Sequence, residues 1–480
     1  MRLPMSEGLF FVEEAAAMTG ARVYRASGFT AGEISSVSVD SRKVLPGGLF
    51  VPLKGEKTDG HLYIADAFSR GCSISLTDRE YWESHKTELE AEARKFRCAF
   101  IVVDSALTAL RTLAARHLAK FGAFRVGITG SSGKTTTKEI AGAILRQAGP
   151  AFMNEGNLNS DIGLPLSVFG MRGSPYFALF EMGMNRVGEM DILVDIVRPQ
   201  AGLITNIGSA HIGMLGSRQA IAVEKKKLFQ ALAPGQRAYM YEGESFGAFL
   251  TEGILADPAF YGETSTPGFQ GAMDLGLDGF TLFLDGEKLR FPLPGIFNLR
   301  NALGAISLCG GLGVGARAIR QGLEAVAPLF GRGEIVRGDV TFVRDCYNAN
   351  PQSMRSAMDF IESLAWDGRK VAVLGSMKEL GAYCVEEHGK IGRRAAVCGF
   401  AAVFLFGEEM EEAFRVLGEE GFRGTSGWFT DFGELYRAVE AFLVSGDIVL
   451  VKGSRGMELE RLPQEFSGRG KTGKTGAVHV

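Results

Sequence analysis

The chain is 480 residues long, 46% hydrophobic and 22% charged, with a formal net charge of −3. That is the composition of a globular protein with about three domains, at roughly 100–200 residues each, and the charge argues against a nucleic-acid binder held by phosphate contacts. No apolar run is long enough to span a bilayer, and Glu13 and Glu14 interrupt the apolar residues 9–12 too early for a secretory leader.

Residues 8–20 are predicted to form a short amphipathic helix closed by Gly20. Alternating Ile34, Val37 and Val39 lead to Asp40-Ser41-Arg42, and a turn at Pro46-Gly-Gly48 gives way to a strand at 49–51. Lys54-Gly-Glu56 and Asp59-Gly-His61 follow, then a helix at 63–70 and strand-like runs at 74–76 and 99–103. This is a small α/β domain whose loops carry Ser41, Arg42, Lys54, Asp59 and His61. The set suits an anionic ligand; ordinary solvated turns are the plainer alternative.

A helix at 107–121 leads into Val126-Gly-Ile-Thr-Gly-Ser-Ser-Gly-Lys-Thr-Thr-Thr137, the stretch around which the chain is organised. Phe124, Val126 and Ile128 read as a short buried strand, the turn Gly130-Ser131-Ser132-Gly133 follows, and a helix starts near Lys134. Strand, glycine loop, Lys-Thr and helix make a P-loop, where backbone N–H groups and a helix dipole meet phosphates. Lys134 would reach the outer phosphates and the Thr135 hydroxyl would ligate Mg²⁺. The strict pattern has glycine five residues before Gly133, where this chain has Ile128.

Asn154-Glu-Gly-Asn157-Leu-Asn159 supplies uncharged donors and acceptors, for a polar substrate or for a structural Asx turn. Residues 177–181 read as an apolar strand ending on Glu181. Ligands of open α/β sheets sit beyond the carboxyl ends of strands, so magnesium ligation is its natural role. The strand at 201–207 delivers His211 in the same way. In a helix at 217–233, Ile221, Lys225, Leu228 and Leu232 fall on one stripe. Lys225 is therefore expected to be buried, with Lys226 and Lys227 turned to solvent. Short strands at 237–240, 259–261, 281–284 and 288–291 precede a helix with Asn298 at its start and Asn301 in its first turn. A helix at 316–326 and Pro328 mark a boundary.

Beyond it, strands at 340–343, 370–374, 401–406 and 448–451 alternate with helices at 353–365, from about 385, at 410–417 and at 432–444, with a short segment at 427–429. That alternation means a parallel, doubly wound sheet. Its polar residues gather at strand ends, in Asp345-Cys-Tyr-Asn348-Ala-Asn350, Glu379 and Lys452-Gly-Ser454-Arg455. No GxGxxG fingerprint is present, which argues against a nicotinamide cofactor. Six cysteines (72, 98, 309, 346, 384 and 398) lack paired metal-ligand spacing and read as reduced thiols of a cytoplasmic protein. Residues 467–480 echo a P-loop without a flanking strand or helix and are expected to form a disordered basic tail.

The motifs Thr129-Gly-x-x-Gly-Lys-Thr-Thr136, Gly156-Asn-Leu-Asn-x-Asp-Ile-Gly-Leu-Pro165, Glu181-Met-Gly, Ala210-His211, Lys225 four residues before Phe229, and Asn298-x-x-Asn301-Ala together resemble the Mur ligase family of peptidoglycan-precursor synthesis. The resemblance runs from Asp40-Ser-Arg to Lys452-Gly-Ser-Arg and accounts for Ile128. Asp345-x-Tyr-Asn-Ala-Asn-Pro-x-Ser-Met354 is similar to the members that add D-alanyl-D-alanine to UDP-N-acetylmuramoyl-tripeptide, and the Asp-Asn-Pro-Arg motif of the diaminopimelate-adding members is absent. Where those similar members carry Gly-Asp-Met-x-Glu-Leu-Gly, Ser376 replaces the aspartate, while Glu379, Leu380 and Gly381 match.

The resemblance implies an α/β protein of three domains. Residues 1–107 would form a small α/β domain binding the UDP substrate with Ser41, Arg42, Lys54, Asp59 and His61, joined by Asn157 and Asn159. Residues 108–328 would form a central P-loop ATPase domain with a mostly parallel sheet, holding ATP with Gly130, Ser131, Ser132, Gly133, Lys134, Thr135 and Thr136. Asn298 and Asn301 would contact adenine, Asp345 the ribose, with Arg332 a further ATP contact. Residues 329–466 would form a Rossmann-like, doubly wound domain that closes over the nucleotide and takes the dipeptide with Asn348, Asn350, Lys452, Ser454 and Arg455.

Two Mg²⁺ ions are implied, one near Thr135 and Glu181, the other near Glu181, His211 and a Lys225 carbamylated by CO₂. Lys134, Glu181, His211 and Lys225 are the implied catalytic residues of a monomeric, cytoplasmic, ATP-dependent amide ligase working through an acyl phosphate. Its rivals are another Mur ligase, a folylpolyglutamate synthetase-like enzyme, which would not need the first domain, and a P-loop regulatory protein, which would form no amide.

Overall fold

The structure, a computed structural model, describes residues 8–469. Contacts divide the chain into two units: residues up to 127 with 150–184 and 188–200, and residues 128–149, 185–187 and 201 onward.

In the first unit, a sheet runs in the order Arg22–Arg25, Ala99–Val103, Ile74–Asp78, Leu49–Phe50, Val37–Ser38. All its pairings are parallel except that of Arg22–Arg25. Phe50, Phe68, Trp82 and Phe100 fill the core beside it. The expected N-terminal helix is Val12–Thr19, preceded by a two-residue strand and closed by Gly20 at φ 64°, a left-handed cap that glycine adopts without a Cβ clash. Several elements go beyond those expected, among them the strands Arg22–Arg25 and Ala151–Met153, the helix Gly163–Val168 and, longest of all, the helix Arg79–Phe96. Only Trp82, Leu89 and Ala93 of its 18 residues are buried, so its sequence lacks a broad apolar face. Strands Phe124–Thr129, Phe177–Glu181 and Ala151–Met153 lie side by side in that order.

Ser105 caps the helix Ala106–Leu118, accepting from the Thr108 N–H at 3.3 Å. Near its end His117 is buried among Phe10, Phe121 and Phe169, with Nε2 3.2 Å from the Met171 carbonyl oxygen. Burial pushes its imidazole down to about 4. The unfolded chain therefore takes up this proton first as the pH falls. The stability contributed by neutral His117 is fully present above about 6.5 and is lost progressively towards about pH 4. His117→Phe is expected to flatten the melting temperature over that window relative to the wild type. Parallel pH profiles of the two proteins would contradict the assignment.

In the second unit, parallel strands Ala201–Ile204, Arg237–Tyr241 and Asp257–Tyr261 lie side by side, and the Thr205 N–H donates to the Thr129 carbonyl at the end of the P-loop strand. An antiparallel three-stranded sheet (Phe269–Asp274, Phe280–Leu284, Glu287–Phe291) follows. The last sheet runs Glu334–Val336, Thr341–Arg344, Ile448–Lys452, Lys370–Gly375, Ala402–Phe406, Thr425–Phe429, parallel except for its first strand. Ile448–Lys452 sits between strands that precede it in the chain, so the loops after 344, 375 and 452 converge at one carboxyl edge, where doubly wound sheets bind ligands.

Five of the six cysteines are buried and Cys384 is half-buried; all six are free thiols. Burial raises the Cys72 thiol to about 11 and those of Cys98, Cys346 and Cys398 to about 12. Among the described residues no helix is long and apolar enough to cross a membrane. The helix Arg461–Arg469 carries through residues 467–469 of the expected tail, and the remainder of that tail lies outside the described residues.

Candidate active site

The P-loop backbone is held by its neighbours. Asn206 braces it twice: its carbonyl accepts from the Ser131 N–H at 3.0 Å and its Oδ1 from the Ser132 N–H at 3.0 Å. The Asn206 Nδ2 and the Thr205 hydroxyl both donate to the Ser132 carbonyl, at 3.0 and 2.6 Å. Gly133 stands at φ 81° before the helix Lys134–Ala148, and a Cβ there would lie 2.4 Å from Asn301 Oδ1. Thr135 and Thr136 are buried at the helix start. Lys134 curls back so that Nζ donates to the Gly130 carbonyl at 2.8 Å.

Gly130 has φ 150°, and a Cβ there would stand 1.8 Å from the Thr205 hydroxyl oxygen. Gly130→Ala is therefore expected to displace the loop and weaken ATP binding by at least tenfold, about 1.4 kcal/mol. Equilibrium titration with a fluorescent ATP analogue measures this; unchanged affinity would mean the loop tolerates the methyl.

Glu181 ends its strand 2% exposed. Asn159 Nδ2 donates to its Oε1 at 2.7 Å. Asn154 brackets its backbone, Oδ1 accepting from the Glu181 N–H at 2.8 Å and Nδ2 donating to the Glu181 carbonyl at 3.0 Å. The Asn-rich loop thus positions a carboxylate, with Asn157 exposed beside it.

Lys225 lies on the helix Arg218–Gln230, 1% exposed, and its Nζ donates to the Gly130 carbonyl at 3.1 Å. Two lysines thus share one carbonyl. Desolvation first, then the nearby Lys134 ammonium, holds the Lys225 amine well below the usual lysine range. Lys226 corrects the expectation of solvent exposure: it is buried, with Nζ 4.4 Å from the Phe249 ring centre. Lys227 is half-buried and pairs with Glu224 at 2.7 Å. His211 Nδ1 meets the Glu379 carboxylate at 2.6 Å, and that hydrogen bond holds the Glu379 carboxyl below its ordinary value. Both residues are left-handed, at φ 63° and 67°. For side chains other than glycine that conformation costs about 1–2 kcal/mol.

In the last domain, Lys452 is buried and its Nζ donates to Asp345 Oδ2 at 2.6 Å and to the Asn348 carbonyl at 3.2 Å. Asn350 caps the helix Pro351–Ser363, and its Nδ2 donates to the Ser132 hydroxyl of the P-loop at 3.0 Å. Asn298 Nδ2 donates to the Pro294 carbonyl at 2.8 Å, and Asn301 faces Thr137 and Gly133.

Family models match along the chain: a Mur ligase family catalytic domain over residues 33–118, a Mur ligase middle domain over 128–309, and a Mur ligase glutamate ligase domain over 331–455. The UDP-N-acetylmuramoyl-tripeptide--D-alanyl-D-alanine ligase of Treponema pallidum (strain Nichols) is 40% identical over 455 residues, 95% of this chain and 98% of the relative. The chain belongs to the Mur ligase family. The crystal structure of MurF from Acinetobacter baumannii is similar at a TM-score of 0.84, with 28% identity and coverage of 97% of this chain and 100% of that one. A MurF ligase from Thermotoga maritima in complex with ADP is similar at a TM-score of 0.76, with 25% identity over 90% of this chain and 98% of that one.

This Mur ligase has the three-domain α/β fold of its relatives, with mostly parallel sheets. In its first domain His61 is buried, Nδ1 2.6 Å from Asp59 Oδ1 and Nε2 accepting from the Asp78 N–H, so that pair is engaged in structure. Ser41 is buried, while Arg42 and Lys54 are exposed. Arg42 forms a two-point pair with Asp40 at 2.9 Å for each contact, which lowers the Asp40 carboxyl to about 2. Ser376, where the resemblance implies aspartate, is fully buried, and a Cβ on Gly407 would lie 2.3 Å from its hydroxyl. Ser454 accepts from the Lys378 N–H at 2.9 Å. Arg332 and Arg455 both lie over the Tyr347 ring, at 4.1 and 5.5 Å. Tyr347 and Asn206 are the residues whose role the sequence leaves unmarked. Asn206 is uncharged and sits in a loop without periodicity; its place directly after a buried strand that ends beside the P-loop is the one usable signal.

Proposed function

We propose that this Mur ligase joins D-alanyl-D-alanine to UDP-N-acetylmuramoyl-tripeptide with hydrolysis of ATP to ADP and phosphate, in the cytoplasm. The carboxylate of the tripeptide attacks the γ-phosphorus: an O–P bond forms, the bond to the bridging oxygen breaks, and ADP leaves. The dipeptide amine then attacks the acyl carbon. A C–N bond forms, the C–O bond to phosphate breaks, and the amine gives up a proton. Phosphorylation is needed because hydroxide is a poor leaving group from a carboxylate. The observation that carries the reading is the Asn350–Ser132 hydrogen bond, which ties the Asp345-x-Tyr-Asn-Ala-Asn segment to the phosphate loop. The identity to the Treponema relative over nearly the whole chain supports it.

Lys134 would leave the Gly130 carbonyl to meet the outer phosphates, and the N–H groups at the start of the helix Lys134–Ala148 would hold the phosphate oxygens. Among the described residues no three His, Cys, Asp or Glu side chains converge into a metal cage. The buried Glu181 carboxylate and Thr135 hydroxyl, with His211, suit Mg²⁺, which keeps water and takes phosphate oxygens. Mg²⁺ held by these residues would supply charge neutralisation to the transferring phosphoryl group.

Lys225 is proposed to act as a carbamate, formed when its neutral amine bonds to the carbon of CO₂ and loses a proton. The buried amine rests on a carbonyl, and the resulting anion would become a further oxygen ligand for the metal.

Incubation with ATP, Mg²⁺, the UDP-tripeptide and a mixture of D-alanyl-D-alanine and single amino acids, followed by mass analysis, tests the whole reading. The expected product carries both alanines, with one ADP per amide. Addition of a single amino acid would instead indicate another Mur ligase or a folylpolyglutamate synthetase-like enzyme.

A further inference from the structure

We propose that a cavity of about 530 Å³ beside the phosphate loop seats the dipeptide acceptor, its carboxylate on Arg355 and its ammonium donating to Gln352 Oε1. The proposal rests on the ligase reading above and names a seat different from the Asn348, Asn350, Lys452, Ser454 and Arg455 set. Of that set, Asn350, Lys452 and Ser454 are already engaged with protein partners.

The cavity has one wall from the segment 208–218 and another from the helices Pro351–Ser363 and Cys384–Val397. Most of its charges are already matched. Lys390 lies 2.7 Å from both Glu386 and Glu387, and Arg218 donates to the Ile207 carbonyl at 2.8 Å while lying over the Phe246 ring. Two groups are not matched. Gln352 Oε1 is buried and accepts from no donor, a state that a ligand N–H would relieve. The exposed Arg355 guanidinium has no ion pair or hydrogen bond among the described residues. One is an unmet acceptor and the other an unmet cation, so the complementary ligand carries an N–H donor and a carboxylate.

Their placement orders the ligand. Gln352 and Arg355 stand three residues apart on one helix, on one face, with Cβ atoms about 5–6 Å apart. That is close to the separation of the two charged ends of a short peptide. Gln352 is the nearer to the chemistry: a Cβ on Gly208 would lie 2.2 Å from its Oε1, and the Gly208 N–H donates to the P-loop Ser131 hydroxyl at 2.8 Å. The amine therefore sits at the phosphate-loop end, and the carboxylate one helical turn away.

Steady-state kinetics on the full-length enzyme test this with D-alanyl-D-alanine and its C-terminal carboxamide. The wild type is expected to favour the acid over the amide by about 10–100-fold in kcat/KM, the worth of a charge-assisted hydrogen bond. Arg355→Ala should raise the KM for the acid by a similar factor and bring the acid-to-amide ratio close to one. Arg355→Lys should retain part of that preference. Gln352→Met should raise the dipeptide KM and leave the ratio unchanged. The KM values for ATP and the UDP-tripeptide should stay unaltered throughout. A wild type indifferent to the amide, an Arg355→Ala enzyme that keeps the wild-type ratio, or a rise in the KM for the UDP-tripeptide in place of the dipeptide would each overturn the proposal. A wild type that forms no product with either acceptor overturns the ligase reading itself, and this site with it.

Discussion

Alanine at Lys134 is expected to lower product formation by about 10²–10³-fold, the loss typical of removing one preorganised electrostatic stabiliser. The fold should survive. The loop backbone is braced by Asn206, Thr205 and Gly208. Melting curves that match the wild type, together with lost turnover by mass analysis, are the expected pair of results. Activity within a few-fold of wild type would remove the phosphate-binding role.

Lys225→Ala is expected to cost at least as much, about 10²-fold or more, and to be rescued in part by formate or acetate. The side chain is fully buried, rests on a carbonyl oxygen and is disfavoured as an ammonium by burial and by Lys134. If it works as a carbamate, the missing group is a carboxylate-like oxygen ligand, and a small carboxylate can diffuse into the vacated space. If small amines rescue and carboxylates do not, the residue acts as a cation and the carbamate reading fails.

The parts of the site that were legible in the sequence are those in which chemistry and periodicity coincide. The glycine loop is local, Glu181 is the first charge after an apolar strand, and Lys225 interrupts an apolar stripe at helical spacing. Lys226 shows where that logic stops. A single stripe assumes one packed face, but the helix Arg218–Gln230 also packs on Gly247–Thr251, which covers Lys226 from a second side. The helix Arg79–Phe96 was hidden for the opposite reason, since it buries too few residues to print a pattern. His61 illustrates a third limit. Its loop composition suggested a ligand, while its burial beside Asp59 depends on the Asp78 backbone 17 residues away. The three-residue edge strand Glu334–Val336 is antiparallel in an otherwise parallel sheet and too short to alternate visibly.

The buried cysteines give each part of the chain its own clock. A thiol reagent attacks only thiolate, and only where solvent reaches it. With their ionisation displaced upward by burial, Cys72 and Cys98 near the N-terminus, Cys309 in the centre, and Cys346 and Cys398 towards the C-terminus stay silent until their surroundings open. Labelling rates read by mass, peptide by peptide, would therefore rank the regions by how readily each one unfolds locally, without any engineered probe. Repeating the measurement with nucleotide present would identify which regions ATP holds shut, because a ligand slows labelling only where it suppresses the opening that exposes the thiol.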